Sequence, residues 1–393
     1  MRGSKTLSLL LTTAVIVWIA VSAAAAQEET PSAEVQRLSQ ILVPEIHRVM
    51  TEGRIPSCTI ALVRDDKIVW TGAYGFSNVW AKTPARIETV YLIGSTFKTM
   101  SAFGLLQLME QGKFKLDDAV APFLGDLKIQ GETPDRPVTF RHLLTHTSGL
   151  PADFGPYLIW ADASPPSLAA YLEKALKLKN PPLTKVEYSN IGFTLIAHLI
   201  EKLSGQPFRS YILSHIVEPV EMTDTGFIPR PDMVERLAIP YIVGAKSKNW
   251  EPVHWLKASV WPAGIVYGTV LDQARWLIAN LNGGVTKGRP LITQATFAQV
   301  MTRQYDQFAG PVAHGWLNET TGFGLAWWIS ERNGAKVFAH SGSVAGYTAF
   351  LAGNLERKTG FAVLSNGNQV HTYLYGLALK ALDALEPLPK QGR

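Results

Sequence analysis

A serine and a lysine three positions apart, Ser95 and Lys98, are the residues whose types and spacing first suggest covalent chemistry. They stand where an apolar segment, Val90 to Ile93, passes through Gly94 into a helical pattern. Residues three apart share one face of a helix, so the Lys98 amine can reach the Ser95 hydroxyl. The free N–H groups and the dipole at a helix N-terminus also favour an anion that forms beside the serine. The pair can act as nucleophile and base if burial or cationic neighbours keep the lysine largely neutral near pH 7.

Taken alone, this pair is also compatible with a helix-capping serine followed by a solvated lysine. A chain of this length contains about one S-x-x-K by chance. Ser95 is the only serine of the chain with a lysine three residues later. The interpretation as a catalytic pair therefore depends on two further triplets.

Tyr188-Ser189-Asn190 is the only Y-x-N triplet, and it lies just before an apolar helix that begins near Phe193. A tyrosine in that turn can serve as a second proton carrier, and an asparagine can hydrogen-bond the lysine and a substrate amide. A half-buried turn aromatic is the alternative interpretation of Tyr188. With Ser95 and Lys98, Tyr188 completes the predicted catalytic residues.

His340-Ser341-Gly342 is the only H-x-G triplet, and it ends a predicted strand just before the turn into another. Gly342 permits a ligand to approach the backbone closely, and the N–H of Ser343 can complete an oxyanion hole with that of Ser95. The predicted substrate-binding residues are therefore Asn190, His340, Gly342 and Ser343.

Lys358-Thr359-Gly360 competes with His340 for this third position. It falls between two predicted strands, close to Asn354 and Glu356, where a polar hairpin turn is expected. We therefore place the third element at His340. The choice bears on the substrate, because histidine carries a less reliable positive charge than lysine for holding a carboxylate.

Several other chemistries are excluded by the sequence. The single cysteine, Cys58, cannot form an intramolecular disulfide or a C-x-x-C zinc site. His142 and His146 have H-x-x-x-H spacing, but no glutamate follows His142 and no third ligand is evident. The chain also lacks a G-x-S-x-G elbow and a phosphate-binding glycine loop. We expect neither a metal nor a cofactor.

The elements that must position these residues are strands at both chain ends with helices between them. The predicted strands are 58–63, 68–73, 323–329, 337–340, 347–352 and 361–364, with a polar turn at 64–67 and an Asn333-Gly334 hairpin turn. The predicted helices are 99–111, 168–178, 193–203, 270–281 and about 373–385. An N-terminal hairpin alone cannot bury one face. We therefore expect an α/β (α+β) fold: an antiparallel sheet built from both chain ends, flanked by helices, with an inserted mainly helical region.

The N-terminus has the pattern of an export signal. Arg2 and Lys5 precede an apolar run from Leu7 to Val21, which ends in small residues at 24–26. We expect cleavage after residue 26, with no stable membrane span afterwards and a periplasmic or secreted protein; an uncleaved anchor is the alternative. The net charge of +5 is spread without a long basic run, so nucleic-acid binding is not expected.

The three triplets together resemble those of the serine β-lactamase and penicillin-binding protein superfamily, namely S-x-x-K, then Y-x-N or S-x-N, then K-[ST]-G or H-x-G. The segment 143–150, LLTHTSGL, Pro262-Ala263-Gly264 leading to Asp272, and the strand end 363–366 are also similar to segments of that superfamily. The resemblance extends from about residue 35 to 385. The tyrosine of the second triplet indicates the branch of class C β-lactamases, D-alanyl-D-alanine carboxypeptidases and esterases.

This resemblance implies one catalytic domain over 27–393, with a sheet region at about 27–95 and 285–393 and a helical region at about 96–284. It implies that Ser95 is acylated, that Lys98 and Tyr188 transfer protons, and that His340 faces a substrate carboxylate. The expected function is hydrolysis of an amide or ester in a small molecule or peptide, with a carboxypeptidase or β-lactamase-like activity ahead of a carboxylesterase. The substrate would be a peptidoglycan peptide, a β-lactam or an ester. A non-hydrolytic penicillin-binding sensor is the alternative from another class.

Overall fold

The structure is a computed structural model that describes residues 32–153, 158–160, 167–253, 256–258, 260–308 and 321–386. The segment interpreted as an export signal, residues 1–26, lies outside the described residues. Within the described ranges, no helix combines the length and the apolar character needed to cross a bilayer.

The strands of the large sheet lie at the two ends of the described chain, and shorter strands lie between them. In chain order they are β1 Ser57–Arg64, β2 Lys67–Asn78, β3 Thr83–Pro84, β4 Tyr91–Leu92, β5 Leu158–Trp160, β6 Tyr241–Val243, β7 Trp250–Pro252, β8 Leu256–Ala258, β9 Tyr267–Gly268, β10 Val285–Thr286, β11 Arg289–Pro290, β12 Gly322–Phe323, β13 Trp328–Arg332, β14 Ala335–Val344, β15 Tyr347–Asn354 and β16 Thr359–Ser365. Eight of them form one sheet in the order β12-β13-β14-β15-β16-β1-β2-β3, and its paired neighbours are antiparallel.

Helices flank this sheet and fill the middle of the chain. They are α1 Ala33–Glu52, α2 Lys98–Glu110, α3 Phe140–Leu144, α4 Leu168–Ala175, α5 Asn190–Ser204, α6 Phe208–Ile212, α7 Pro231–Val234, α8 Val270–Leu281, α9 Gln294–Val300 and α10 His371–Leu385. The predicted fold class is confirmed: β1 from the N-terminal part pairs with β16 from the C-terminal part, and helices lie between them in the sequence.

β1 is a central strand, and both of its faces are covered. Cys58, Ile60 and Leu62 pack with α1 and α10, whereas Ala61 and Val63 pack in the core that contains α8. This two-sided burial explains why the strand reads as a nearly continuous apolar run. The N-terminal and C-terminal parts of the chain thus meet in the middle of the sheet, and the helices between them in the sequence pack against it.

The predicted hairpins at both ends of the chain are confirmed. β1 pairs with β2 across the polar turn, where Asp65 has φ 55°. Asn333 and Gly334 link β13 to β14 with φ values of 50° and 69°. Asparagine and glycine adopt such positive φ values more readily than other residues, and paired positive values are typical of a two-residue hairpin turn.

The predicted strand 323–329 is wrong, because this stretch contains two strands, β12 and β13, that pair antiparallel with each other. Between them, the Gly324 N–H donates to the Trp327 carbonyl at 2.8 Å, and the Ala326 N–H donates to the Leu144 carbonyl at 2.9 Å. Ala326 also has φ 69°. Contacts with the helical region therefore bend a segment whose apolar composition alone favours a strand.

Two predicted element ends are also wrong. The strand predicted at 337–340 extends further, as β14, because its continuation pairs with β15. The helix predicted at 168–178 ends at Ala175, the last residue of α4. Beyond it, the Leu178 N–H donates to the Gln130 carbonyl and the Gln130 N–H donates to the Leu176 carbonyl, each at 2.9 Å. Both ends are set by partners distant in the sequence, which a local pattern does not contain.

Candidate active site

Ser95 lies in a turn of 3₁₀ helix, Gly94–Phe97, that leads directly into α2. From Thr89 to Leu106 every residue except Ser95 is buried. The predicted position at a helix start is therefore confirmed, and the serine hydroxyl belongs to the one residue of this stretch that reaches the surface. The buried start of this helix thus carries one accessible hydroxyl group.

Lys98 has three oxygen partners at its Nζ atom. The distances are 2.9 Å to Ser95 Oγ, 2.8 Å to Asn190 Oδ1 and 2.7 Å to the carbonyl oxygen of Ala263. The two carbonyl-type oxygens only accept hydrogen bonds. A neutral amine gives them its two N–H groups, so its lone pair remains for the Ser95 hydroxyl. The geometry thus fits a base in contact with its nucleophile.

Burial determines the charge state of this lysine. Lys98 is fully buried, and the loss of hydration lowers its pKa to about 7, although the negative charge of Asp153 opposes the decrease. Desolvation disfavours the charged form of an amine. A substantial share of Lys98 is therefore neutral near pH 7, which satisfies the condition that the sequence pattern left open.

Tyr188 stands just before α5, as the sequence predicts. Ser189 caps this helix, because its hydroxyl accepts from the Gly192 N–H at 2.9 Å. The Tyr188 ring centroid lies 5.0 Å from Lys98 Nζ. Burial raises the pKa of the Tyr188 phenol, while its hydrogen bond with Ser95 has the opposite effect. The phenol therefore keeps its proton near neutral pH and can pass it on.

The predicted oxyanion hole depends on how closely β14 approaches the Ser95 turn. A Cβ placed on Gly342 would lie 2.2 Å from the carbonyl oxygen of Ile93 and 3.0 Å from Ser95 N. A Cβ placed on Gly94, where φ is 58°, would lie 2.7 Å from Ser343 N. Only glycine fits at these two positions. The backbone N–H groups of Ser95 and Ser343 are thereby brought to the same narrow gap.

His340 is buried, and the pattern of its contacts indicates a neutral ring. Its Nδ1 lies 2.6 Å from the carbonyl oxygen of Ser341, which can only accept, so Nδ1 carries the proton. The ring stacks on Trp328 with centroids 5.4 Å apart. Burial, assisted by the charge of Lys98, lowers the pKa of His340 to about 3. The H-x-G triplet lies inside β14 rather than at its end, and its histidine supplies no positive charge at neutral pH.

The competing triplet, which begins at Lys358, lies at the start of β16, whereas Gly342 lies level with the end of that strand. In the strand register, Gly342 is opposite Ala349, which is opposite Leu364 of β16. Lys358 occupies the turn before β16, with φ 47°. Five residues of strand separate Leu364 from Thr359, which corresponds to about 17 Å. The expected turn is confirmed at Lys358, whereas Thr359 and Gly360 already belong to β16 and pair with β15.

Sequence reasoning missed four groups that contact the predicted residues. Asp153 accepts from Asn190, the Ala263 carbonyl accepts from Lys98, Phe193 lies 5.5 Å from Lys98 Nζ, and His146 packs 4.2 Å from the Tyr188 ring. The segments around residues 146 and 263 resemble those of the superfamily, but the resemblance does not assign these contacts to them. For Asp153, no signal marked the residue.

His142 and His146 make separate contacts. The Nδ1 atom of His142 accepts from the Thr139 N–H at 3.2 Å in the capping box that begins α3. His146 has φ 58°, and its Nδ1 accepts from the Ser189 N–H at 3.0 Å. Among the residues that the structure describes, no three His, Cys, Asp or Glu side chains are grouped as metal ligands would be.

Comparisons with known proteins show which family and which folds this chain resembles. Residues 43–385 match the family model described as Beta-lactamase. Penicillin-binding protein 4 of Amycolatopsis lactamdurans is 25% identical over 340 residues, which cover 85% of this chain and 87% of that protein. Protein flp of Staphylococcus aureus (strain MW2) is 24% identical over 332 residues, or 82% of this chain, and the match spans only 62% of the length of that relative.

Two solved structures share the fold. An octameric penicillin-binding protein homologue from Pyrococcus abyssi has a TM-score of 0.74 and 28% identity, covering 88% of this chain and 76% of that chain. A class C beta-lactamase has a TM-score of 0.76 and 20% identity, covering 92% and 99% of the two chains.

Proposed function

This chain belongs to the beta-lactamase family, and we propose that it is a serine hydrolase that cleaves an ester or amide through an acyl-enzyme on Ser95. The observation that carries the proposal is the contact of Lys98 Nζ with Ser95 Oγ at 2.9 Å, made by a lysine whose pKa burial lowers to about 7. A lysine of this kind is a base at neutral pH, and it touches the nucleophile that it must deprotonate.

In the proposed reaction, Lys98 takes the hydroxyl proton while Ser95 Oγ bonds to the substrate carbonyl carbon. The N–H groups of Ser95 and Ser343 stabilise the oxyanion. The carbonyl then re-forms, the bond to the leaving oxygen or nitrogen breaks, and the Tyr188 hydroxyl donates a proton to the leaving group and receives one from Lys98. Water repeats the sequence on the acyl-enzyme, releases the acid and restores Ser95.

Within this chemistry, the third element favours substrates that need no charged partner for a carboxylate. β-Lactams and D-alanyl-D-alanine peptides carry a carboxylate, and a cationic residue at the third element is the natural partner for it. His340 is 1% exposed, and its pKa is lowered to about 3. We therefore place ester hydrolysis ahead of carboxypeptidase and β-lactamase activity, which reverses the order that the sequence suggested.

The acyl-enzyme can be tested by labelling the intact protein with a fluorophosphonate and locating the adduct by mass spectrometry. We expect one adduct on Ser95, none in Ser95→Ala, and normal labelling in Ser214→Ala, which changes an exposed serine. An unlabelled wild-type protein that is folded by circular dichroism would contradict the proposal.

The substrate class can be tested by measuring kcat/KM side by side for a p-nitrophenyl ester, nitrocefin and a D-alanyl-D-alanine peptide. We expect the ester to be preferred. Higher kcat/KM for nitrocefin or the peptide would support the β-lactamase or carboxypeptidase alternative. A single equivalent of acylation without turnover of all three would support the penicillin-binding sensor.

We also propose that the protein is exported. The pattern that supports this is Arg2 and Lys5, the apolar run 7–21 and the small residues that end it. N-terminal sequencing of the protein recovered from periplasm or medium should begin at Gln27. A cell-associated protein that retains residues 1–26 would support the uncleaved anchor instead.

A further inference from the structure

We propose that Asp153 is a positioning residue, which fixes the side-chain amide of Asn190 in the one orientation that allows Lys98 to act as a base. This inference rests on the proposed function, because it concerns the same lysine. It assigns a role to a residue that lies in a loop between α3 and β5 and that carries none of the sequence motifs.

The amide of Asn190 connects two groups of different character. Its Oδ1 lies 2.8 Å from Lys98 Nζ, and its Nδ2 lies 2.9 Å from Asp153 Oδ1. An ionised carboxylate only accepts hydrogen bonds, whereas an asparagine side chain has one accepting end and one donating end. Asp153 therefore holds the NH₂ end, and the oxygen end must face Lys98.

The opposite orientation would disable the base. If the NH₂ group of Asn190 faced Lys98, it would donate to the lone pair of the neutral amine, in competition with the Ser95 hydroxyl. Against a protonated Lys98, two donors would face each other in a buried site, which is costly. The orientation of one amide thus decides whether the lone pair is available to Ser95.

The loop that carries Asp153 is held against the start of α5. The Asn190 N–H donates to the Ala152 carbonyl at 2.8 Å, and the Ser189 hydroxyl donates to the Pro151 carbonyl at 2.7 Å. These bonds place the carboxylate beside the positive end of the α5 dipole, where negative charge is favoured. Asp153 is therefore a fixed acceptor.

The carboxylate also acts on Lys98 through its charge. It raises the pKa of Lys98 and so opposes the larger effect of burial. The other titratable groups around the lysine are Tyr188, whose phenol stays protonated, and the neutral His146 and His340. Among these groups, Asp153 is the one that raises the pKa of Lys98. Its removal should therefore move the titration of Lys98 to lower pH.

The test measures fluorophosphonate labelling of Ser95 and kcat/KM for the ester, both as functions of pH, in the full-length protein. For Asp153→Asn, the side chain keeps its size but can either donate or accept, so both orientations of Asn190 become available. We expect the labelling rate on the plateau to fall about ten-fold or more, and the acid limb of kcat/KM to move to lower pH. Asp153→Glu should restore part of the rate and return the limb towards that of the wild type.

Glu187→Gln is the matched control. It removes the same charge next to Tyr188 in the sequence, but Glu187 binds Lys179 and Asn180 rather than Asn190. We expect wild-type labelling and an unmoved acid limb.

The inference is overturned if Asp153→Asn labels at the wild-type rate with an unmoved limb. It is equally overturned if the rate falls only in proportion to a lower melting temperature, with the limb unmoved. In both cases the wild type is still labelled, so the proposed function stands. An unlabelled wild type overturns both.

Discussion

The Nζ atom of Lys98 lies 2.7 Å from the carbonyl oxygen of Ala263, although the two residues are 165 positions apart in the sequence. Ala263 belongs to a short 3₁₀ turn, Trp261–Ala263, that packs against α5 and the Ser95 turn. A backbone carbonyl cannot rotate away or lose its acceptor character. It therefore fixes one N–H of the amine. Because Asn190 accepts the other N–H, the remaining position at Nζ faces the Ser95 hydroxyl.

The first prediction concerns the pH dependence of acylation. Lys98 must be neutral to act as the base, and its pKa is lowered to about 7. The neutral fraction grows as the pH rises through that value. The labelling rate of Ser95 should therefore increase about ten-fold per pH unit well below pH 7 and level off above it, as measured by stopped reactions in buffers of constant ionic strength.

Lys98→Arg is the control for this profile, because a guanidinium stays protonated throughout the range. Its labelling should be at least about a hundred-fold slower. A wild-type acid limb centred near pH 10, the range of an ordinary lysine, would contradict the assignment of the base.

The second prediction tests the close approach of β14 to the Ser95 turn. Gly342→Ala adds a methyl group that would lie 2.2 Å from the Ile93 carbonyl oxygen, so the strand must move away from the turn. The Ser343 N–H would move with it. We expect kcat for the ester to fall about a hundred-fold or more, since one oxyanion donor commonly contributes that much, while KM changes less.

Gly376→Ala in α10 is the matched control, since nothing lies within 4 Å of a Cβ at that position. It should leave kcat unchanged and slightly raise the melting temperature, because alanine favours a helix over glycine. Equal kcat values for the two variants would show that the approach of β14 does not support the oxyanion.

The sheet and the three triplets that meet at Ser95 could be predicted from the sequence because their signals are local. The apolar run of β1, the Asn333-Gly334 turn and the S-x-x-K spacing each lie within a few residues. The bend between β12 and β13 could not, because it depends on the Leu144 carbonyl, more than 170 positions away. The partners Asp153 and Ala263 were missed for the same reason, since an acidic loop residue and a backbone carbonyl carry no pattern of their own.

The charge of His340 could not be predicted from the sequence either. The H-x-G triplet identified the strand that approaches Ser95, but a histidine in a motif has no fixed protonation state. Burial and the nearby Lys98 hold its pKa far below the usual range. Its neutral form is thus a property of packing, and this property changes the expected substrate class.

The third prediction separates the two candidate third elements. Lys358 is exposed in the turn before β16, and its Nζ contacts only Asn282 Oδ1, at 3.2 Å, among the hydrogen bonds of the described residues. Lys358→Ala should therefore leave kcat/KM for the ester unchanged and alter stability by no more than about 0.5 kcal/mol. A ten-fold or larger loss of kcat/KM, measured against a Lys336→Ala control in the same sheet, would show that the third element is the Lys358 triplet rather than the His340 triplet.

The fourth prediction concerns stability in acid. His142 and His340 are buried, and loss of hydration lowers their pKa values to about 4 and about 3, while the pKa of His146 lies well below its usual range. In the unfolded chain these rings take up protons at about pH 6.5. The unfolded state therefore binds more protons than the folded state below that pH, so the stability from these groups is present above about pH 6.5 and is lost as the pH falls towards 4.

Urea unfolding at intervals between pH 7.5 and pH 4.5 should show this loss, and His142→Gln should reduce it. Glutamine at this position can keep the capping box of α3 but does not titrate. The variant should therefore lose less stability between pH 6.5 and pH 4.5 than the wild type does, whatever its stability at pH 7.5. Parallel curves for the two proteins would mean that the ring of His142 is protonated in the folded state, and that its burial does not control its charge.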